Sequence, residues 1–385
     1  MSTTLIKNIG TLVTGDIENP LSNATAIAIK DGVIAAIGND ELLAEYQDAE
    51  IIDAKGTTVT PGLFDSHVHT TIGDYAPRQK TTDYIASALN GGITTMISAG
   101  EAHIPGRPTD PAGTKALAIL AHKSFEKARP AGVKVHAGGL ILEKGLTEED
   151  FKEMSEAGVW LVGEIGLGSV KNPDEASKMV EWAHKYGFKV HMHTGGTSIP
   201  GSSTVTAADV IATKPDVVSH INGGPTAISI EEVDKIMDET NFAMEIVQCG
   251  NFKVADYVAR RAEKKGMLGR IIFGNDAPSG TGLIPLGIIR NVAYISSVSG
   301  IAPEKCLCMA SGNTAKVFGL NTGIIEVGKE ADLIIMDAPM GSVGNNALEA
   351  LAAGDLPGIS KVIIDGKVVV KKSTNTPPAR TQAEA

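Results

Sequence analysis

Apolar positions in this chain repeat in two different ways. From Leu5 to about Val59 they form short β-branched stretches separated by turns, clearest in Ala26–Ile37, where Asp31-Gly32 stands between two apolar runs. Asp-Gly in that setting predicts a hairpin, because both central residues of the favoured two-residue turn need positive φ. The same signature returns at Val362–Val370 around Asp365-Gly366, after the strand-like Ala331–Met336. Neither terminal stretch has the apolar surface to build a sheet domain alone, so residues 1–61 and 322–372 are expected to pair into one small β-sandwich.

Residues 62–321 behave differently: short apolar strands alternate with amphipathic helices, the pattern of a parallel sheet with crossover helices. Eight strands are expected near Gly62–His69, Thr94–Ala99, Val133–Leu142, Val159–Ile165, Lys189–Thr194, Val217–Asn222, Ala243–Cys249 and Ile271–Asp276. Helices are expected at Thr147–Ala157, Pro173–Tyr186 and Ile230–Asp238. Eight such units predict an α/β fold, a (β/α)8 TIM barrel of the metal-dependent hydrolase type, whose catalytic groups sit at the carboxyl ends of the strands. The tail, residues 373–385, carries paired prolines and small polar residues and is expected to be disordered.

Composition narrows the function classes. A formal charge of −11 and the lack of any long Lys/Arg run argue against a nucleic-acid surface. No apolar run approaches the ~20 residues needed to cross a bilayer, and the start lacks a signal-peptide pattern. Three cysteines, Cys249, Cys306 and Cys308, with the last two too close for an unstrained bridge within a helix, point to a reducing cytoplasm. The 43 glycines exceed the usual share of about 7%, so loops carry much of the protein.

The chemistry begins at Pro61-Gly62-Leu63-Phe64-Asp65-Ser66-His67-Val68-His69. Alternate strand residues share a face, so His67 and His69 can aim two imidazoles at one point. Glu164 ends strand 4, His191 and His193 lie on strand 5, His220 ends strand 6 and Asp276 ends strand 8. Imidazole and carboxylate suit Zn²⁺, Fe²⁺ or Mn²⁺, and six inward ligands exceed what one tetrahedral metal needs. Two divalent metal ions per chain fit better. His67, His69 and Asp276 would hold the more buried ion and His193 and His220 the other, with Glu164 bridging. A water between them would ionise near neutral pH as the nucleophile, with Asp276 as general acid/base. His191 lies deeper along its strand and is expected to pack behind the ligands; His136 is expected to be buried, His122 and His184 solvent-facing, and Cys249 a buried, inert thiol.

Together these motifs resemble the amidohydrolase superfamily, the urease-like metal-dependent hydrolases, over nearly the whole length; Gly274-Asn275-Asp276 and the closing Gly328-Lys329-Glu330-Ala331-Asp332-Leu333 add to it. By position the resemblance makes His67, His69, His193, His220 and Asp276 metal ligands. One position departs, since many binuclear relatives use a carboxylated lysine after strand 4 where this chain has Glu164. Within the superfamily the chain resembles the bacterial enamidases of nicotinate degradation. That implies Zn²⁺ and/or Fe²⁺, a homo-oligomer with a tetramer favoured, and hydrolysis of the cyclic amide 6-oxo-1,4,5,6-tetrahydronicotinate to 2-formylglutarate and ammonia. Alternatives from the same superfamily are a mononuclear deaminase, another cyclic-amide hydrolase of dihydropyrimidinase or dihydroorotase type, and a nuclease-like phosphoesterase. An enamidase substrate is a small molecule carrying a carboxylate, for which Arg78, Lys80, His103 and Arg107 are the candidate cations and the turns Gly195-Gly196-Thr197 and Gly223-Gly224 the candidate backbone donors.

Overall fold

The Asp31-Gly32 and Asp365-Gly366 turns both form, and they lie against each other. All four residues have positive φ, at 51°, 86°, 48° and 72°, as such a turn requires. A Cβ on Gly366 would stand 2.7 Å from Cγ2 of Ile29, and one on Gly32 3.0 Å from the Asp365 carbonyl oxygen. Glycine there supplies clearance as well as φ. The computed structural model describes residues 2–70, 81–101, 104, 106–197, 202–223, 226–277 and 284–384.

Seven strands come first: β1 (Thr3–Lys7), β2 (Thr11–Val13), β3 (Leu21–Ser22), β4 (Ala26–Lys30), β5 (Val33–Gly38), β6 (Glu50–Asp53) and β7 (Thr58–Pro61). The next eight are β8 (Leu63–Val68), β9 (Ile93–Ser98), β10 (Lys134–His136), β11 (Leu161–Ile165), β12 (Lys189–Met192), β13 (Val217–Val218), β14 (Ala243–Val247) and β15 (Ile271–Gly274). Three follow near the end, β16 (Leu333–Asp337), β17 (Gly358–Ile364) and β18 (Lys367–Val370).

The outer strands make two sheets, in the orders β5-β4-β1-β6 and β18-β17-β16-β7-β2-β3. The second joins the chain ends, with β7 antiparallel to β16 from Pro61 opposite Leu333 to Thr58 opposite Met336. Ile6, Ile27, Ile29 and Ile34 of one sheet share a core with Leu333, Ile335 and Ile363 of the other. On β1 the neighbouring Leu5 points the opposite way, onto Ala26, Ala28 and Leu42, as a period of two dictates.

The eight middle strands are parallel to their neighbours and pair in chain order, as β8-β9-β10 and β11 through β15. Parallel bridges Leu140–Val162 and Val68–Ala277 link the two runs at both ends. Asp276 N–H donates to the His67 carbonyl at 3.0 Å and His69 N–H to the Ala277 carbonyl at 2.8 Å, so the end of the last strand lies beside the first. The strands are buried along nearly their whole length, as parallel strands covered by helices must be. Those helices start where the sequence predicts: Glu148–Glu156 and Ile230–Glu239 each begin with a capping box, from Thr147 and Ser229. Asn172 caps Pro173–Lys185. β10 is shorter than expected, ending at His136, and Leu140 rejoins only through its bridge. Lys134 on β10 ties this layer to the C-terminal strands, its Nζ lying 2.5 Å from Glu330, 2.7 Å from Asp332 and 2.8 Å from Asp365.

The tail corrects the expectation of disorder. Ser373, Thr376, Ala379 and Ala383 are buried, Ser373 Oγ donates to the Asn90 carbonyl at 2.7 Å, and Arg380 N–H donates to the Ala338 carbonyl at 2.8 Å. Asp53 and Glu384 exchange a reciprocal pair of backbone hydrogen bonds, at 2.7 and 2.9 Å. A low-complexity look reflects few large side chains, yet a segment anchored mainly through its backbone needs few. Truncation after Lys372 is therefore expected to lower the stability to urea by roughly 2–4 kcal/mol, at about 1 kcal/mol per net hydrogen bond lost. An unchanged urea midpoint would show that the tail contributes nothing.

Candidate metal centre

The six residues singled out from the sequence come together at the carboxyl ends of the parallel strands. His67 lies on β8 and His69 just past it, Glu164 on β11, His193 after β12, His220 after β13 and Asp276 after β15. All six are buried. Two donor clusters result, one of His67, His69 and Asp276 and one of Glu164, His193 and His220, each with its ligand atoms within 4.8 Å of one another.

Glu164 stands between them. Its Oε2 lies 3.5 Å from His67 Nε2 and 3.7 Å from His69 Nε2, while its Oε1 lies 2.6 Å from His220 Nε2 and 3.8 Å from His193 Nδ1. Each oxygen thus addresses one cluster. Asp276 Oδ1 is 3.3 Å from His69 Nε2 and 3.5 Å from His67 Nε2.

The nitrogens are presented as a metal needs them. His67 Nδ1 lies 2.6 Å from Glu245, and His69 Nδ1 lies 2.9 Å from the Gly100 carbonyl. Both partners are acceptors, which keeps a proton on Nδ1 and turns Nε2 toward the centre as the atom that would ligate. His67 Nε2 has no hydrogen-bond partner among the described residues, a costly state for a buried polar atom that a cation would relieve. His193 Nδ1 and His220 Nε2 converge to 3.1 Å on the same carboxylate. This donor set fits divalent zinc or iron.

Electrostatics point the same way. Burial pushes the Glu164 carboxyl up, but the charges of His67 and His220 outweigh it and hold the group well below the usual range. Asp276 is likewise lowered against burial, by its hydrogen bond with His69 and the charge of His67. In the metal-free site the positive charge of the neighbouring imidazoles holds both carboxylates as anions, and a bound cation would take over that charge as the histidines give up their protons.

Two of the site residues have a left-handed backbone. His220 and Asp276 are non-glycine residues at φ 35° and 57°, a conformation that costs on the order of 1–3 kcal/mol and aims each side chain across its strand end. Asp65 pins the second of these turns. Fully buried, it accepts from Asn275 N–H at 2.9 Å, Asn275 Nδ2 at 2.7 Å and His67 N–H at 3.2 Å, and burial pushes its carboxyl up to about 7.

His191 is placed as expected, and several other residues are not. His191 is buried behind the ligands, 3.3 Å from Ser219 Oγ and stacked on Phe318. His136 stands edge-on to Trp160 and is only partly buried, and His184 pairs with Asp216. Cys249 is corrected: half-buried rather than fully enclosed, it places Sγ 3.3 Å from Asp276 Oδ2, at the site. Arg107 is committed to Glu143, with Nη1 at 2.7 Å, and to the Pro108 carbonyl. The Gly195 N–H donates to Val205 and the Gly223 N–H to His220, so neither is an open donor. Arg78, Lys80, His103 and Gly224 lie outside the described residues.

Three carboxylates were missed, Asp65 among them. Glu101, just after β9, is buried with one oxygen 3.2 Å from Ser98 Oγ, and burial pushes its carboxyl up to about 7. Glu245 sits inside the apolar run Ala243-Met244-Glu245-Ile246-Val247, and a charge at a fully buried strand position was the available signal.

Comparison with known proteins agrees with this geometry. The profile of the Amidohydrolase family matches residues 58–369. The enamidase of Eubacterium barkeri is 70% identical over 384 residues, covering 100% of both chains. The crystal structure of enamidase, described as a new member of the amidohydrolase superfamily, superposes with a TM-score of 0.97 at 70% identity, again covering 100% of both chains. An imidazolonepropionase from Geobacillus sp. (strain WCH70) is 24% identical over 90% of each chain.

Proposed function

The chain belongs to the amidohydrolase family and is a hydrolase of C–N bonds, and from that premise we propose that it opens the cyclic enamide 6-oxo-1,4,5,6-tetrahydronicotinate on a two-metal site, yielding 2-formylglutarate and ammonia. The observation that carries the substrate is 70% identity to an enamidase across the whole length of both proteins. The eight parallel strands are read as a (β/α)8 barrel, residues 62–321, and the two outer sheets as a sandwich of residues 1–61 and 322–372.

His67, His69 and Asp276 would hold one divalent ion and His193 and His220 the other, with Glu164 bridging. Bound there, the ions supply Lewis acidity toward the lactam carbonyl and lower the pKa of water. What supports two ions over one, and hence a hydrolase over a mononuclear deaminase, is that Glu164 offers one oxygen to each cluster.

Asp276 carries the proton. Its carboxylate is anionic at neutral pH, so it can accept a proton from the attacking water and return it to the ring nitrogen as the C–N bond breaks. The water oxygen becomes part of the new carboxylate, and nitrogen leaves as an enamine. Tautomerisation to the imine and addition of a second water then give the aldehyde and ammonia. Burial of the ligand side chains excludes bulk water from their inner faces and strengthens each of these interactions.

Incubation with the tetrahydronicotinate tests this reading. Aldehyde and ammonia should appear in equal amounts. Turnover of hydantoins or dihydropyrimidines with no aldehyde from the tetrahydronicotinate would leave a cyclic-amide hydrolase of another specificity.

A further inference from the structure

Glu245 belongs to neither of the two clusters, yet it touches a residue of each. It is fully buried on β14, and neither carboxylate oxygen is idle. Oε1 accepts from Ser66 Oγ at 2.5 Å. Oε2 meets His67 Nδ1 at 2.6 Å and accepts from the His220 backbone N–H at 3.2 Å. The contact with His67 fixes a side chain on β8 and the contact with His220 a backbone just after β13, two strands that lie far apart in the strand order.

Each contact acts on something the centre needs. The bond to His67 keeps a proton on Nδ1 and sets the ring plane, so that Nε2 is aimed inward as the atom that would ligate. The bond to His220 holds a non-glycine residue at φ 35°, a conformation that persists only where its surroundings over-determine it. The Ile221 N–H adds a bond to the Glu245 carbonyl at 2.8 Å. Ser66 then stops the carboxylate from rotating away from either partner.

We propose that Glu245 is a positioning residue that sets the geometry of both metal subsites at once, through the His67 ring on one side and the His220 backbone on the other. The proposal rests on the two-ion reading. Because one carboxylate serves both subsites, its loss should weaken both ions rather than one. A neutral amide in its place can still accept from His67 and from the His220 N–H through one oxygen, but it has no charge and turns an NH2 group toward Ser66, whose hydroxyl can no longer donate to it.

The test is titration of metal-free protein with Zn²⁺ against a chromophoric chelator, for the wild type, Glu245→Gln and Ser66→Ala. Circular dichroism at the titration temperature establishes that each is folded. Glu245→Gln should raise both zinc Kd values by about 10- to 100-fold. A purely structural role would lower the unfolding temperature and leave the Kd values of the folded protein unmoved. Unchanged Kd values, or a rise in only one, would overturn the proposal. Should Glu245→Gln fail to fold, Ser66→Ala decides: a rise of a few fold in both supports the role and no change overturns it. A wild type that binds no zinc would instead overturn the two-ion reading, and this inference with it.

Discussion

Asp276→Asn is expected to lower kcat on the tetrahydronicotinate by about 100- to 10,000-fold, the range for losing a general acid/base, with KM changed little. The substitution keeps the shape and leaves the backbone bond from residue 276 to His67 and the Asn275–Asp65 clamp intact. What it removes is the capacity to accept a proton. An amide is also a weaker metal ligand than a carboxylate, so metal content must be measured beside the rate. If both ions are retained and kcat is unchanged, another group carries the proton, and Asp276 is a ligand only.

His67→Ala should cost stability as well as activity. Activity should fall to the level of metal-free protein, because the variant removes one of three donors from its cluster. The loss of stability has a separate origin. Without His67, the buried Glu245 carboxylate loses its 2.6 Å partner, and breaking a buried pair on one side costs roughly 3–5 kcal/mol. Urea unfolding of metal-free His67→Ala, Glu245→Gln and the double variant separates the two effects. The double variant should recover part of the stability and none of the activity, the mark of a coupled pair. Strict additivity would show that the two side chains stabilise the fold independently.

The six candidate ligands could be picked out of the sequence because their logic is local. His67 and His69 share a strand face by periodicity, and each remaining ligand falls at or near the end of a strand whose apolar run announces it. Asp31-Gly32 and Asp365-Gly366 announced their hairpins for the same reason, since an Asp-Gly turn needs only its neighbours to form, while the pairing of the chain ends followed from each having too little apolar surface for a sheet of its own. Glu245 and Asp65 were not legible in that way. Each is a charge in a strand that otherwise reads as buried, and only the folded arrangement shows what satisfies it: Ser66, His67 and His220 for one, Asn275 and Tyr84 for the other. The tail misled because composition reports side-chain burial, whereas residues 373–384 dock largely through backbone groups and small polar side chains. Cys249 misled because a strand-end thiol is compatible with either a core or a site, and its distance to Asp276 comes only from the tertiary fold.

The central claim is a two-metal site that opens a cyclic enamide, and stepwise reconstitution tests it most directly. Metal-free protein is given increasing equivalents of zinc or ferrous iron, and release of aldehyde from 6-oxo-1,4,5,6-tetrahydronicotinate is followed at each step. The account predicts no activity without metal and a rate that reaches its plateau only at two equivalents per chain. Full activity at one equivalent, or no aldehyde at any loading, would contradict it.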